Sequence, residues 1–195
     1  MDRISYALGL SIGNNFLNAG IQNLHTDDFM KGLTDVLEKR KPEISYDEAK
    51  KVINDYFTQL QENQSKLNSE AGEEFLRINK GRAGVTTLAS GLQYQVLKTG
   101  TGAKPTLNDR VQCHYHGTLI NGVVFDSSID RGEPAVFGVN QVIAGWTEAL
   151  QMMNVGSKWR LFIPSNLAYG QQGAGNVIGP GSALIFDVEL LNIVK

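Results

Sequence analysis

The sequence predicts an α+β protein: an all-helical amino-terminal dimerisation region, a long connecting helix, then an antiparallel β-sheet wrapped around a short helix. Three observations predict it. Residues 1–88 carry 24 of the 38 charged side chains but only 7 of the 21 glycines, while residues 89–195 hold the other 14 glycines and 4 of the 5 prolines. Apolar residues recur at helical spacing in the first part and alternate in the second. A capping box, Ser45-Tyr46-Asp47-Glu48, opens a stretch with no proline before Pro105. The expected division is residues 1–44, a helical dimerisation domain; 45–85, the long helix and a linker; and 86–195, the β-rich domain.

The elements follow in order. Asp2 caps a first helix from about Arg3 to Asn18, with Ile4, Leu8, Ile12 and Phe16 in one stripe. Gly9 and Gly13 inside it cost roughly 1 kcal/mol each relative to alanine. They are either tolerated at the surface or kept for close approach of another helix, for instance from a second subunit. Gly20 ends the helix. Thr26 is the expected cap of a second helix, with Asp27 and Asp28 favoured by its dipole and Phe29, Leu33, Val36 and Leu37 on its apolar face. Lys39, Arg40 and Lys41 are expected at its carboxyl end, before Pro42. The third helix runs from Tyr46 to about Asn79, roughly 50 Å at 1.5 Å per residue. Its middle, Gln61 to Lys66, is polar all round, as suits an arm between two bodies. So little apolar surface in short helices predicts homodimerisation through the first 60 residues.

Lys80 to Ser90 reads as a connector. Leu92, Tyr94 and Val96 alternate with glutamines in a one-faced strand, and Val111, Cys113 and Tyr115 alternate with Gln112, His114 and His116 in another. Asn121-Gly122 signals a hairpin. Trp146 to Met153 reads as a short helix closed by Gly156, and Trp159–Ile163 as a strand. Ala183–Val194, apolar on much of both faces, reads as a central strand.

Composition excludes several functions. A net charge of -2 lacks the basic stripe of a nucleic-acid binder, and a pI near 5.9 gives no attraction to anionic membranes. One cysteine excludes an internal disulfide framework. No apolar run spells a targeting or transmembrane segment, so the expected compartment is the cytoplasm, or the periplasm if a signal peptide has been removed. His114 and His116 share a strand face without a third ligand nearby and read as polar surface. There is no G-x-S-x-G elbow, and the glycines of 170–181 lack a P-loop lysine. No cofactor or metal is expected. What remains is a concentration of aromatic residues without a nucleophile.

Six ordered segments then carry a resemblance. They are Val111-Gln112-Cys113-His114-Tyr115-His116-Gly117, Gly122-Val123-Val124-Phe125-Asp126-Ser127-Ser128, Val142-Ile143-Ala144-Gly145-Trp146, Leu161-Phe162-Ile163-Pro164, Leu167-Ala168-Tyr169-Gly170 and Leu184-Ile185-Phe186-Asp187-Val188-Glu189-Leu190. Together they resemble the FKBP family of peptidyl-prolyl cis-trans isomerases from about Gly91 to Lys195. The amino-terminal helices and arm are similar to its Mip-like bacterial subgroup, typically V-shaped homodimers. The resemblance implies an isomerase domain over 86–195 that accelerates X-Pro isomerisation during protein folding, with chaperone activity. A non-catalytic proline-binding module is the alternative.

It also implies roles. Trp146 forms the floor of a proline pocket, with Tyr115, Phe125, Phe137, Val142, Ile143 and Phe186 as walls. The Ile143 N–H and the Tyr169 hydroxyl hold substrate carbonyls, and Asp126 is a polar contact at the rim. Val177 and Ile178 lie in a loop overhanging the site. The partners implied are unfolded or peptide chains containing proline, with the macrolides tacrolimus and rapamycin as inhibitors. Ala144, Ala174 and Gly179 depart from common family choices.

Overall fold

A computed structural model describes residues 1–21 and 23–194, so Lys195, the expected end of the last domain, lies outside the described residues. The chain forms two compact units, Met1–Leu60 and Gln61–Lys195.

The first unit contains α1 (Arg3–Asn18), α2 (Thr26–Leu37) and the start of α3 (Tyr46–Asn79). Asp2 caps α1 as expected, its carboxylate accepting from the Ser5 N–H at 2.7 Å. Gly20, at φ 81, closes the helix. Thr26 does not cap α2. It is the first helical residue, and His25 stands at the N-cap, with its ring 3.0 Å from Asp28 in the first turn. The basic run also falls elsewhere than expected, because α2 ends at Leu37. Lys39 takes a left-handed conformation, φ 55, and the N–H groups of Lys39 and Arg40 bond the carbonyls of Val36 and Asp35. That closure normally uses glycine, and backbone donors, more than lysine charges, satisfy the helix end. Ser45 caps α3 through the Glu48 N–H at 3.1 Å.

Unit one has almost no interior. Among the described residues no apolar side chain of 1–60 is buried; Phe16 and Phe29 meet edge to face at 5.4 Å. On α1 the expected stripe is exposed at Ile4 and Leu8 and half-buried at Ile12 and Phe16, and a second one, Tyr6, Leu10 and Leu17, is exposed. Gly9 and Gly13 face open space.

The second unit is an antiparallel sheet in the order β1-β2-β6-β7-β3-β4, with β5 also pairing β3. The strands are β1 (Val85–Thr87), β2 (Gln93–Lys98), β3 (Arg110–Leu119), β4 (Val124–Ser127), β5 (Ala135–Gly138), β6 (Lys158–Ile163) and β7 (Leu184–Val194). β7 is central, as its two apolar faces predict. Its residues Leu184, Phe186, Val188 and Leu190 face a core shared with Val111, Cys113 and Tyr115 of β3 and with Trp146, Ala149 and Leu150 of α4 (Ala144–Met152). On the other face Phe75 of α3 packs on Phe162, ring centroids 6.0 Å apart.

Four local expectations need correction. The connector contains β1, whose β-branched Val85, Thr86 and Thr87 pair with β2. β2 does not alternate cleanly. Gln93 is buried because its amide donates to the Leu76 carbonyl and accepts from Asn79, each at 2.9 Å, while a bulge leaves Val96 exposed. β5, which carries Phe137, had no separate strand signal. α4 starts at Ala144, and Gly156 does not close it: the chain becomes extended at Met153, and the Gly156 N–H bonds the Leu190 carbonyl at 2.7 Å. The Asn121-Gly122 hairpin forms as expected, with Gly122 at φ 87. Among the described residues no helix is long and apolar enough to cross a membrane.

Candidate active site

The sheet and α4 enclose a cavity of ≈ 580 Å³ at one end of the core. Trp146, in the first turn of α4, lies at its base and is 4% exposed. Three rings stand nearly perpendicular to the indole: Phe186 at 5.2 Å, Tyr115 at 5.4 Å and Phe137 at 5.7 Å between centroids. Phe125 meets Phe186 in the same manner at 5.3 Å. Edge-to-face packing sets each ring's positive edge against its neighbour's negative face. The rings come from β3, β4, β5, α4 and β7, so the cavity is the open end of the hydrophobic core.

All eleven residues expected at the site line this cavity: Tyr115, Phe125, Asp126, Phe137, Val142, Ile143, Trp146, Tyr169, Val177, Ile178 and Phe186. Ile143 is the N-cap of α4, where a backbone N–H has no partner within the helix. Tyr169 is partly exposed at the mouth, and its hydroxyl has no hydrogen bond among the described residues. The Trp146 indole Nε1 is buried without a partner among the described residues, and such a donor favours an entering acceptor.

One side of the mouth is polar and tightly ordered. The Tyr115 hydroxyl donates to Asp126 at 2.6 Å, while Arg131 donates to the Tyr115 oxygen at 2.7 Å and to the other Asp126 oxygen. The guanidinium also lies over the Tyr115 ring, 5.6 Å from its centroid. Partial burial tends to raise the Asp126 carboxyl, but the bonds from Tyr115 and Arg131 outweigh it and leave the group below its ordinary value. Burial, then the Asp126 carboxylate, push the Tyr115 phenol up. Burial pushes the Cys113 thiol up to about 12, so it is no nucleophile. His114 and His116 each hydrogen-bond a serine, Ser128 and Ser127, at 3.0 Å. Ser128 also accepts from the Tyr115 N–H at 2.7 Å, fixing the backbone under that ring.

Sequence reasoning missed Arg131, Gln141, Gly175 and Asn176. Arg131 had a signal: it follows Asp126 by five residues, across a turn in a charge-poor half. The other three became site residues only through the folding of their loops.

Gly117 makes room for two walls. A Cβ there would lie 2.7 Å from both Phe125 Cε2 and Phe186 Cε1. Gly117→Ala is expected to cost about 1–3 kcal/mol by overpacking. Urea denaturation should show the loss and side-chain NMR a displacement of both rings; unchanged ring signals would contradict this account of the walls.

Two family models match the chain in succession. Residues 101–191 match the model of the FKBP-type peptidyl-prolyl cis-trans isomerase, and residues 1–96 match the domain amino terminal to it. The chain is 47% identical over 209 residues to the FKBP-type peptidyl-prolyl cis-trans isomerase FkpA of Aeromonas hydrophila, covering 100% of this chain and 76% of that one. It is 44% identical to the FKBP-type 22 kDa peptidyl-prolyl cis-trans isomerase of Escherichia coli K12, covering 97% and 94%. It is 41% identical to the outer membrane protein MIP of Legionella longbeachae, covering 100% and 86%. The cytoplasmic compartment expected above gains no support from that last relative. The crystal structure of FkpA from Escherichia coli superposes with a TM-score of 0.77 at 35% identity, covering 98% of this chain and 95% of that one. Over both its helical and its β-rich parts, this chain belongs to the FKBP-type peptidyl-prolyl cis-trans isomerase family and to its Mip- and FkpA-like group.

Proposed function

We propose that the chain accelerates X-Pro isomerisation in folding proteins, working as a homodimer joined through residues 1–60, with chaperone activity. The observation that carries the catalytic reading is the convergence of six aromatic rings and one ionised carboxylate on a single apolar cavity. An X-Pro bond prefers trans only slightly but crosses slowly, because amide resonance sets a barrier of ~18–20 kcal/mol. The twisted amide has lost that resonance and much of its charge separation. A dry aromatic cavity therefore favours it over the planar amide, and only that difference accelerates the reaction. In this reading the proline ring rests on Trp146, and the Ile143 N–H and Tyr169 hydroxyl hold flanking carbonyls. Phe125, Phe137, Val142, Val177, Ile178 and Phe186 exclude water, and the Tyr115–Asp126–Arg131 cluster holds the polar wall. Tacrolimus and rapamycin would compete by filling the same space. Residues 1–44 would serve dimerisation, 45–85 connection and 86–195 catalysis.

The deciding experiment is cis-trans exchange in an X-Pro peptide with and without rapamycin. Acceleration abolished by rapamycin supports the reading; no acceleration at micromolar protein overturns it. For the compartment, a periplasmic location agrees with a relative named an outer membrane protein. Release of the native protein by osmotic shock supports that location, and retention with cytosolic markers overturns it.

The pH dependence should be flat. Asp126 is held below its ordinary value, so its contribution is present above about pH 4 and lost below. Tyr115 is held above its ordinary value, so its contribution is present below about pH 10 and lost as the phenol ionises above that. Between about pH 5 and 9 neither group changes charge, and kcat/KM is expected to be constant. A bell-shaped profile centred near neutrality would contradict this.

A further inference from the structure

The loop that overhangs the cavity is short of its own restraints. Residues 170–181 contain five glycines, four of them (Gly170, Gly173, Gly175 and Gly181) at positive φ, and the loop supplies Ala174 to Ile178 to the cavity wall. Glycine-rich chain loses much conformational freedom when it is fixed. Internally the loop has a small bridge, Ala174 with Ile178, and a bond from the Gly181 N–H to the Gly170 carbonyl at 2.8 Å.

Beyond that, the Gly170 N–H bonds the Ser165 carbonyl at 2.9 Å, Ile178 is buried in the core, and the loop's other hydrogen bonds come from α3, through the residues whose polarity suggested a free-standing arm. Near the loop's start, Ser65 donates its hydroxyl proton to the Gln171 side-chain oxygen, and the Gln61 amide donates to the Gln171 carbonyl at 3.3 Å. At the loop's end, the Asn68 amide donates to the Pro180 carbonyl at 2.8 Å. The backbones touch there: a Cβ on Gly181 would fall 2.6 Å from the Ser65 carbonyl oxygen, and one on Gly179 would fall 2.9 Å from the Asn68 amide nitrogen. Ser65 is accordingly buried on an otherwise exposed stretch of helix. A Cβ at Gly179 would press on the Asn68 amide that bonds the Pro180 carbonyl.

We propose that Ser65 and Asn68, with Gln61 in support, are positioning residues for the proline pocket. They clamp both ends of the 170–181 loop, so that its inner residues are already in place when a substrate arrives. None of the three lines the cavity. Their effect is on the fraction of molecules with the loop in its binding conformation, and apparent affinity scales with that fraction. The proposal rests on the cavity being the substrate site.

The test uses the full chain carrying Ser65→Ala and Asn68→Asp together. The aspartate keeps the bond accepted from Gln64 but sets an acceptor against the Pro180 carbonyl. If the clamp holds about nine-tenths of the ordering, KM for an X-Pro peptide and the dissociation constant of tacrolimus both rise roughly tenfold, with kcat within about twofold. Amide hydrogen exchange should quicken across 171–180 and stay unchanged in β3 and β7. Gln171→Ala removes the Ser65 bond from the loop side but leaves the Asn68–Pro180 bond in place, so it should raise both constants in the same direction by a smaller factor, about threefold, and serves if the helix variant fails to fold. An unchanged KM, a fall in kcat alone, or equal loss of protection through β3 and β7 would each overturn the clamp. Failure of the wild-type chain to turn over peptide would instead overturn the isomerase reading, since exchange in the loop reports the clamp independently.

Discussion

Trp146→Ala is expected to lower kcat/KM toward an X-Pro peptide by at least about a hundredfold, or about 2.7 kcal/mol of transition-state stabilisation. The same change should cost about 3–5 kcal/mol of stability, as for other buried aromatic truncations. Both effects come from one geometry. The indole is almost wholly buried, and three rings lean their edges against it. Removing it takes the floor from the cavity and a keystone from the core together. The two losses are separable by comparison with Leu150→Ala. Leu150 lies on the same helix, is fully buried, and does not line the cavity. It should lose about 2–5 kcal/mol of stability, yet keep kcat/KM per folded molecule within about twofold. Unfolding curves give the folded fraction, and exchange spectroscopy gives the rate. If activity per folded molecule fell equally in both variants, Trp146 would be ordinary core and the floor assignment would fail.

That dual role explains why composition and period alone read these aromatic residues as core, and why the pocket came only from the resemblance of the ordered motifs to a family. Its walls alternate along strands, as core residues do, and the ordered motifs around Tyr115, Phe125-Asp126, Trp146 and Phe186 fall on β3, β4, α4 and β7, where period and turn signals placed elements. Helix starts with a side-chain acceptor, Asp2 and Ser45, were equally legible because the code is local: one side chain and an N–H three residues on. What escaped depended on partners distant in sequence or on unusual backbone. β1 is three residues long and exists only because β2 offers it a ladder. Lys39 occupies a left-handed position that composition assigns to glycine. Gln93 is a buried polar residue that looks like a strand's outer face until Asn79 and Leu76 are brought to it. The polar middle of α3 looks solvated in the same way, although Ser65 and Asn68 bond a loop more than a hundred residues away.

Leu8→Glu is expected to turn the proposed dimer into a monomer at micromolar concentration without touching peptide isomerisation. No residue of α1 is buried, although Ile4 is 74% exposed, Leu8 59% and Leu17 66%. Its apolar arc is wider than the one stripe read from the sequence, since Tyr6, Leu10 and Leu17 extend it past Gly9 and Gly13. A helix apolar over more than half its circumference is a helix meant to be covered, and the described residues of 1–60, without one buried apolar side chain, lack the core that independent folding needs. A second copy offers the same surface in return. Covering the exposed part of one leucine contributes about 1–2 kcal/mol. A two-fold interface counts it twice, so Leu8→Glu should weaken the dimer by roughly 30- to 1,000-fold, before the cost of burying a carboxylate. Asn14→Glu places the same charge on the polar side of the helix and should leave the dimer intact. Sedimentation velocity reads the assembly, and peptide exchange reads the pocket, whose lining residues all belong to the other compact unit. Refolding of a proline-limited protein should slow in the monomer, because two pockets joined through one dimer raise the effective concentration of either at a client chain. A Leu8→Glu chain that still sediments as a dimer would place the interface elsewhere, and one that loses peptide exchange along with the dimer would contradict the division between a helical module that assembles and a β-rich module that catalyses.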